Sequence, residues 1–144
     1  MKKQIVNIVV SLSIAITLTL SVFAQMGNVL SATIPFKFYI NGVTLTEGSY
    51  KIHRSSTPDV MIIQDLNNKK SASFIYRQEM ISESDGKSQL VFHRYGNQYF
   101  LAEIQDNGDT KKLSKSKAER LAARGMNDHL AENIQPEIVT VSIQ

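Results

Sequence analysis

Apolar and polar residues alternate in short runs over most of the chain beyond residue 30. Ile34, Phe36 and Phe38 occupy every second position, and Ala72 and Phe74 begin a similar run. Because successive side chains of a strand point to opposite faces, this period of two predicts half-buried β-strands. Turn-forming residues interrupt the runs about every 8 to 15 residues, which is typical of antiparallel folds. We therefore predict an all-β fold, either an antiparallel β-sandwich or a small barrel, of about seven or eight strands.

The strongest local signal is the stretch of residues 90–105, in which Gly96-Asn97 joins two apolar runs. A two-residue link of this type predicts a β-hairpin, since glycine accepts the positive φ that the turn needs. The predicted cross-strand pairs are Tyr95–Gln98, Arg94–Tyr99, His93–Phe100 and Phe92–Leu101. Unbroken alternation would place Val91, His93, Tyr95, Phe100, Ala102 and Ile104 on one face, and Leu90, Phe92, Arg94, Tyr99, Leu101 and Glu103 on the other. Large side chains on both faces indicate that both are covered.

Pro35 interrupts the first alternating run, which covers residues 32–39. Proline has no backbone N–H to donate to a neighbouring strand, and it is therefore found at sheet edges or at breaks. We expect this strand to lie at an edge or to be broken at Pro35.

The chain changes character after residue 113. Ser116 and Glu119 have the spacing of a capping box, in which each residue bonds the backbone N–H of the other. With Gly125 as a natural stop, they predict a short helix over residues 116–125. Alternating residues over 137–143 predict a last strand.

The N-terminal residues 1–24 are typical of an export signal. Lys2 and Lys3 precede an uncharged apolar run, and Ala24 ends a suitable cleavage site. The alternative is an uncleaved membrane anchor, because the run of about 19 residues is long enough to cross a bilayer. We expect an exported protein, periplasmic or extracellular, whose residues 25–144 form a single β-rich domain. The chain has no cysteine, so this domain must be held by its core alone.

Four segments resemble a known family. They are residues 34–38 (Ile-Pro-Phe-Lys-Phe), 45–50 (Leu-Thr-Glu-Gly-Ser-Tyr), 90–101 (with Leu-Val-Phe-His-Arg-Tyr-Gly) and 113–120 (ending Glu-Arg). The pattern is similar to that of small exported bacterial proteins, especially acidobacterial ones, that have no known activity. One departure is Thr46-Glu47, where the family more often has Pro-Ala. The resemblance implies export and the same arrangement of strands, and it implies no mechanism.

Charge argues against nucleic acid as a partner. Removing Lys2 and Lys3 from the 16 Lys and Arg leaves 14 against 13 Asp and Glu, a net charge of +1. Such a chain lacks the strongly basic character of nucleic-acid-binding proteins. One local basic cluster remains, formed by Lys111, Lys112, Lys115, Lys117, Arg120 and Arg124. It suits an anionic membrane surface, an acidic glycan or an envelope protein; the alternative is a solvated helix whose last-turn cations suit its dipole.

The weak candidates for a binding site in the hairpin are His93, Arg94, Tyr95 and Tyr99. In a strand His93 and Arg94 point to opposite faces, so they are not expected to converge on one ligand. The structural alternative packs His93 beside Phe100 and stacks Arg94 on Tyr99. No His-x-His or His-x-x-x-His spacing indicates a metal site.

No motif indicates catalysis or a cofactor. Residues 114–117 match Ser-x-x-Lys, but the chain lacks the partner motifs of the enzymes that use it. The oxygens of residues 106–109 fit a solvated turn better than a calcium loop. We therefore expect a non-catalytic binding or structural module of the bacterial envelope. The alternatives are a carrier that holds a small apolar ligand in a barrel cavity and, with less support, a hydrolase with an unrecognised site.

Overall fold

The computed structural model describes residues 29–80, 86–125 and 135–144, which form ten strands and one helix. The elements are β1 (Leu30–Ile34), β2 (Phe38–Ile40), β3 (Val43–Leu45), β4 (Gly48–Arg54), β5 (Val60–Asp65), β6 (Ser71–Met80), β7 (Gln89–Tyr95), β8 (Gln98–Asp106), β9 (Asp109–Leu113), α1 (Lys117–Gly125) and β10 (Glu137–Ser142). The predicted signal peptide lies outside the described residues. The described part of the chain contains no helix that is long and apolar enough to cross a membrane.

The strands form one mixed, open sheet. Its main path runs β1-β4-β5-β6-β9-β8, and β8 also pairs β7, which pairs β10. Every pairing is antiparallel except that of β2 with β8. Strands β1 and β10 also approach each other. The N–H of Gln144, just after β10, donates to the carbonyl of Ser31 in β1 at 2.8 Å. This single bond does not close the sheet into a barrel.

The predicted all-β class with one short helix is confirmed over the described residues, with ten strands in place of seven or eight. Part of the difference comes from Pro35, which separates β1 from β2 as one of the two predicted outcomes. Before this break β1 pairs β4. After it the chain crosses to the opposite part of the sheet, where β2 pairs β3 and β8.

One hydrophobic cluster fills the space enclosed by the sheet. Its buried members are Leu30, Ala32, Ile34, Phe38, Ile40, Leu45, Tyr50, Ile52, Met61, Ile63, Ala72, Phe74, Tyr76, Leu90, Phe92, Leu101 and Ile104. They come from strands at both ends of the path, so the curved sheet encloses a single core. Burial of this apolar surface is the main stabilising contribution in a domain without disulfides.

The hairpin β7–β8 has the predicted register up to Phe92–Leu101 and then departs from it. The next pairs are Val91–Glu103 and Leu90–Ile104, which leaves Ala102 as an extra residue in a β-bulge. The predicted faces of Glu103 and Ile104 are therefore wrong. Ile104 joins the core, and Glu103 lies on the outer face, where it approaches Lys112.

The outer face of the hairpin is also buried, as expected. Val91, Tyr95, Phe100 and Ala102 each expose less than a tenth of their surface. The helix α1 lies over this face and is joined to it by a contact between Glu119 and His93. The predicted bounds of this helix and of the last strand are confirmed to within one residue.

Tyr50 shows how burial makes this fold sensitive to high pH. Its ring is fully buried, its hydroxyl donates to the Thr46 carbonyl, and burial together with the nearby Asp65 carboxylate raises its pKa above the ordinary 10.0. The neutral phenol is thus favoured by folding. Its contribution to stability is fully present below the ordinary pKa and is lost as the pH rises through the raised pKa.

We expect Tyr50→Phe to lose less of its unfolding free energy than the wild type between about pH 9 and pH 11. Urea denaturation at several pH values measures this, and Tyr99→Phe is the control for removing a hydroxyl from a partly exposed ring. Parallel pH profiles for the wild type and Tyr50→Phe would contradict the prediction.

Candidate functional site

A cavity lies where the sheet divides. One edge of β8 is shared by two strands, because β9 pairs its second half while β2 pairs it only at Phe100. Asn41, in the turn after β2, spans the gap by donating from its side-chain amide to the carbonyl of Ser73 in β6 at 3.2 Å. The division leaves a space of about 240 Å³ that α1 borders on its outer side. We call it the fork cavity.

The fork cavity has apolar walls and a polar rim. Its lining consists of Tyr39, Ile40, Asn41, Phe74, Ile75, Phe100, Leu101, Leu113, Ser114, Ser116 and Glu119. Phe74, Leu101 and Ile40 belong to the core, so the cavity reaches the hydrophobic interior. Tyr39 stacks on Phe100, with ring centroids 5.1 Å apart. Aromatic walls with a few polar groups are the usual composition of a small-molecule site.

Glu119 is the charged group of the cavity. It is 3 % exposed, and its carboxylate oxygen lies 2.7 Å from Nδ1 of His93. A buried carboxylate is costly unless it is hydrogen-bonded, and the imidazole supplies that bond. The pair therefore anchors α1 to the outer face of the hairpin and holds an acceptor at the cavity wall.

The capping box forms only in part. The hydroxyl of Ser116 accepts the backbone N–H of Glu119 at 3.1 Å, which stabilises the first turn of α1. The Glu119 carboxylate points to His93 and not back to the backbone of Ser116. The sequence pattern thus predicted the place of Glu119 at the helix start. It did not predict the contact of Glu119 with His93, which lies 26 positions earlier in the chain.

The four hairpin candidates do not form one site. His93 and Tyr95 lie on the outer face below α1, where the Tyr95 hydroxyl is 3.4 Å from the Lys115 Nζ. Arg94 lies on the other face, 5.4 Å from the centre of the Tyr99 ring, so the expected cation–π contact is present. Arg94 also pairs with Glu137 of β10 at 3.2 Å.

The basic cluster is dispersed as well. Lys111 is 5 % exposed at the position opposite Ile104, so it does not contribute to a surface. Lys112 pairs with Glu79 at 2.8 Å and approaches Glu103, and these neighbours raise its pKa above the ordinary 10.5. The remaining four cations, Lys115, Lys117, Arg120 and Arg124, lie at or on α1 and are exposed.

A second depression, which we call the basic groove, adjoins the fork cavity and shares Asn41, Ser114 and Ser116 with it. Its volume is about 610 Å³. The lining residues are Asn41, Gly42, Ser114, Lys115, Ser116, Lys117, Ala118, Arg120 and Leu121. Among its described lining residues the groove therefore carries three cations and no acidic side chain.

Among the described residues no three His, Asp or Glu side chains come together in a metal-binding cluster. Within the same residues, no hydrogen bond joins the His93 imidazole to a serine hydroxyl. The imidazole contacts the Glu119 carboxylate through Nδ1, and the hydroxyl of Ser116 accepts the backbone N–H of Glu119.

Comparison of the chain with protein-family models, with curated proteins and with solved structures finds no match in any of the three. The resemblance to small exported bacterial proteins thus stays a prediction. Function has to be inferred from the fork cavity and the basic groove.

Proposed function

We propose that the protein is an exported, non-catalytic binding module of the bacterial envelope that takes a small, partly apolar molecule into the fork cavity. The observation that carries the proposal is the composition of this cavity. Core side chains and the stacked Tyr39–Phe100 pair wall it, and the buried Glu119 carboxylate lies at its border.

The size of the cavity limits the ligand. Pockets for drug-sized molecules enclose about 300–1,000 Å³, and the fork cavity has about 240 Å³. A cavity of about 150 Å³ holds benzene. The expected ligand, or the part of it that enters, is therefore comparable with a single ring.

The site favours binding over catalysis. Nucleophilic catalysis needs a hydroxyl within hydrogen-bond reach of the base, and the described residues provide no such bond to His93. The His93–Glu119 pair serves instead to position α1 beside the cavity. A carrier with its ligand in the centre of the sheet has less support, since the core cluster occupies that space.

Ser114→Phe tests the proposal, because Ser114 is exposed and lies on the cavity lining, where a phenyl ring would occupy the space. Protein purified from the periplasm of a bacterial host is expected to carry an extra mass in native mass spectrometry, and Ser114→Phe is expected to lack it. Both proteins should unfold at similar urea concentrations, since surface substitutions usually change stability by less than about 0.5 kcal/mol.

The matched control is Ser71→Phe, which adds the same ring at an exposed position of β6 outside the cavity lining. It should retain the extra mass. A wild-type protein without extra mass would contradict ligand retention, as would a mass that Ser114→Phe retains. The measured mass also tests the signal-peptide prediction, which expects a chain that starts at residue 25.

A further inference from the structure

The basic groove is the surface that the fork cavity leaves unexplained. Three of its lining side chains, Lys115, Lys117 and Arg120, are cationic, and three others, Asn41, Ser114 and Ser116, offer amide or hydroxyl groups. Cations brought together without acidic neighbours attract anions, because their charges reinforce one another.

Two of the three cations of the groove have no ionic partner in the described structure, and the third, Lys115, lies 3.4 Å from the neutral Tyr95 hydroxyl. Lys117 and Arg120 form no ion pair with any described residue. The one carboxylate of α1, Glu119, is buried and turned toward His93. The groove therefore presents its positive charge to solvent and not to the protein.

We infer that the basic groove binds an acidic oligosaccharide, a chain of uronic acid sugars. Uronate carboxylates complement the three cations, and sugar hydroxyls complement the amide and hydroxyl groups of Asn41, Ser114 and Ser116. A lipid surface fits less well, because Leu121 is the only large apolar side chain among the described residues that line the groove. The inference rests on the proposed binding function, since groove and cavity share three residues.

The probe is tetragalacturonate, and the comparison ligand is its fully methyl-esterified form, which has the same length without the charges. Isothermal titration calorimetry of the wild-type protein should show saturable binding of the acid and no binding of the ester. Added salt should weaken the binding, as exposed charges are screened. This comparison needs no variant.

Variants then locate the site. Arg120→Gln combined with Lys117→Gln should weaken binding by about tenfold or more, because two charge-assisted contacts are lost. Arg124→Gln is the matched control, since Arg124 is an exposed arginine of the same helix that does not line the groove. It should stay within about twofold of the wild type.

Three results would overturn the inference: no binding by the wild type, equal binding of the ester, or equal weakening by Arg124→Gln. Equal binding to phosphatidylglycerol vesicles, with the same dependence on Lys117 and Arg120, would assign the groove to a membrane surface and also overturn it. Failure here is distinguishable from failure of the proposed function. Loss of the extra mass in Ser114→Phe depends on the fork cavity and not on Lys117 or Arg120.

Discussion

Ile104→Asp is expected to cost more than about 4 kcal/mol of unfolding free energy, or to prevent cooperative folding altogether. Leu101 and Ile104 both belong to the core, although they lie three positions apart in one strand. Strict alternation would send them to opposite faces, and the bulge at Ala102 is what brings both inward. The bulge therefore places position 104 in the core, where a carboxylate would have no water around it.

Both consequences of the substitution are destabilising. Ile104 is fully buried, and removing an isoleucine from a core typically costs about 2–5 kcal/mol. Burying an aspartate carboxylate without a partner adds to this cost. Urea denaturation followed by circular dichroism measures the loss.

Ile75→Asp is the control, since it makes the same change at a strand position that is 72 % exposed. It should cost no more than about 1 kcal/mol, because the new carboxylate stays in water. An Ile104→Asp variant that unfolds at the same urea concentration as the wild type would show that position 104 does not belong to the core.

The bulge also shows where sequence patterns stop being informative. The Gly96-Asn97 link correctly predicted the pairing beside the turn, because a two-residue turn determines the register locally. Between Tyr99 and Ile104, apolar or aromatic residues occupy both the odd and the even positions. When both faces of a strand are covered, alternation no longer distinguishes inside from outside, and an added residue leaves no trace in the pattern.

The candidate site was less accessible to sequence reasoning than the fold. The spacing of Ser116 and Glu119 correctly predicted the helix start, and this local explanation accounted for Glu119 completely. Its contact with His93 depends on how α1 lies on the hairpin, which is a tertiary arrangement. The fork cavity likewise arises from the division of the sheet at β8, and no single segment encodes it.

The coupling between His93 and Glu119 is expected to reach about 1.5–3 kcal/mol in a double-mutant cycle, the magnitude typical of a hydrogen bond to a charged group. The carboxylate is buried, so removing the imidazole would leave it without its hydrogen-bond partner. Urea denaturation of His93→Ala, Glu119→Ala and the double variant measures this coupling. The same substitutions should release α1 from the hairpin and reduce the mass retained in the fork cavity.

The chain offers a matched control in the pair formed by Arg94 and Glu137. That pair also joins the hairpin to a later element, at 3.2 Å, but 34 % and 62 % of the two side chains are exposed. Exposed ion pairs typically contribute less than about 1 kcal/mol, because solvent screens them. If both cycles gave the same small coupling, burial of Glu119 would not strengthen its contact with His93. The pair could then not be what anchors α1 beside the cavity.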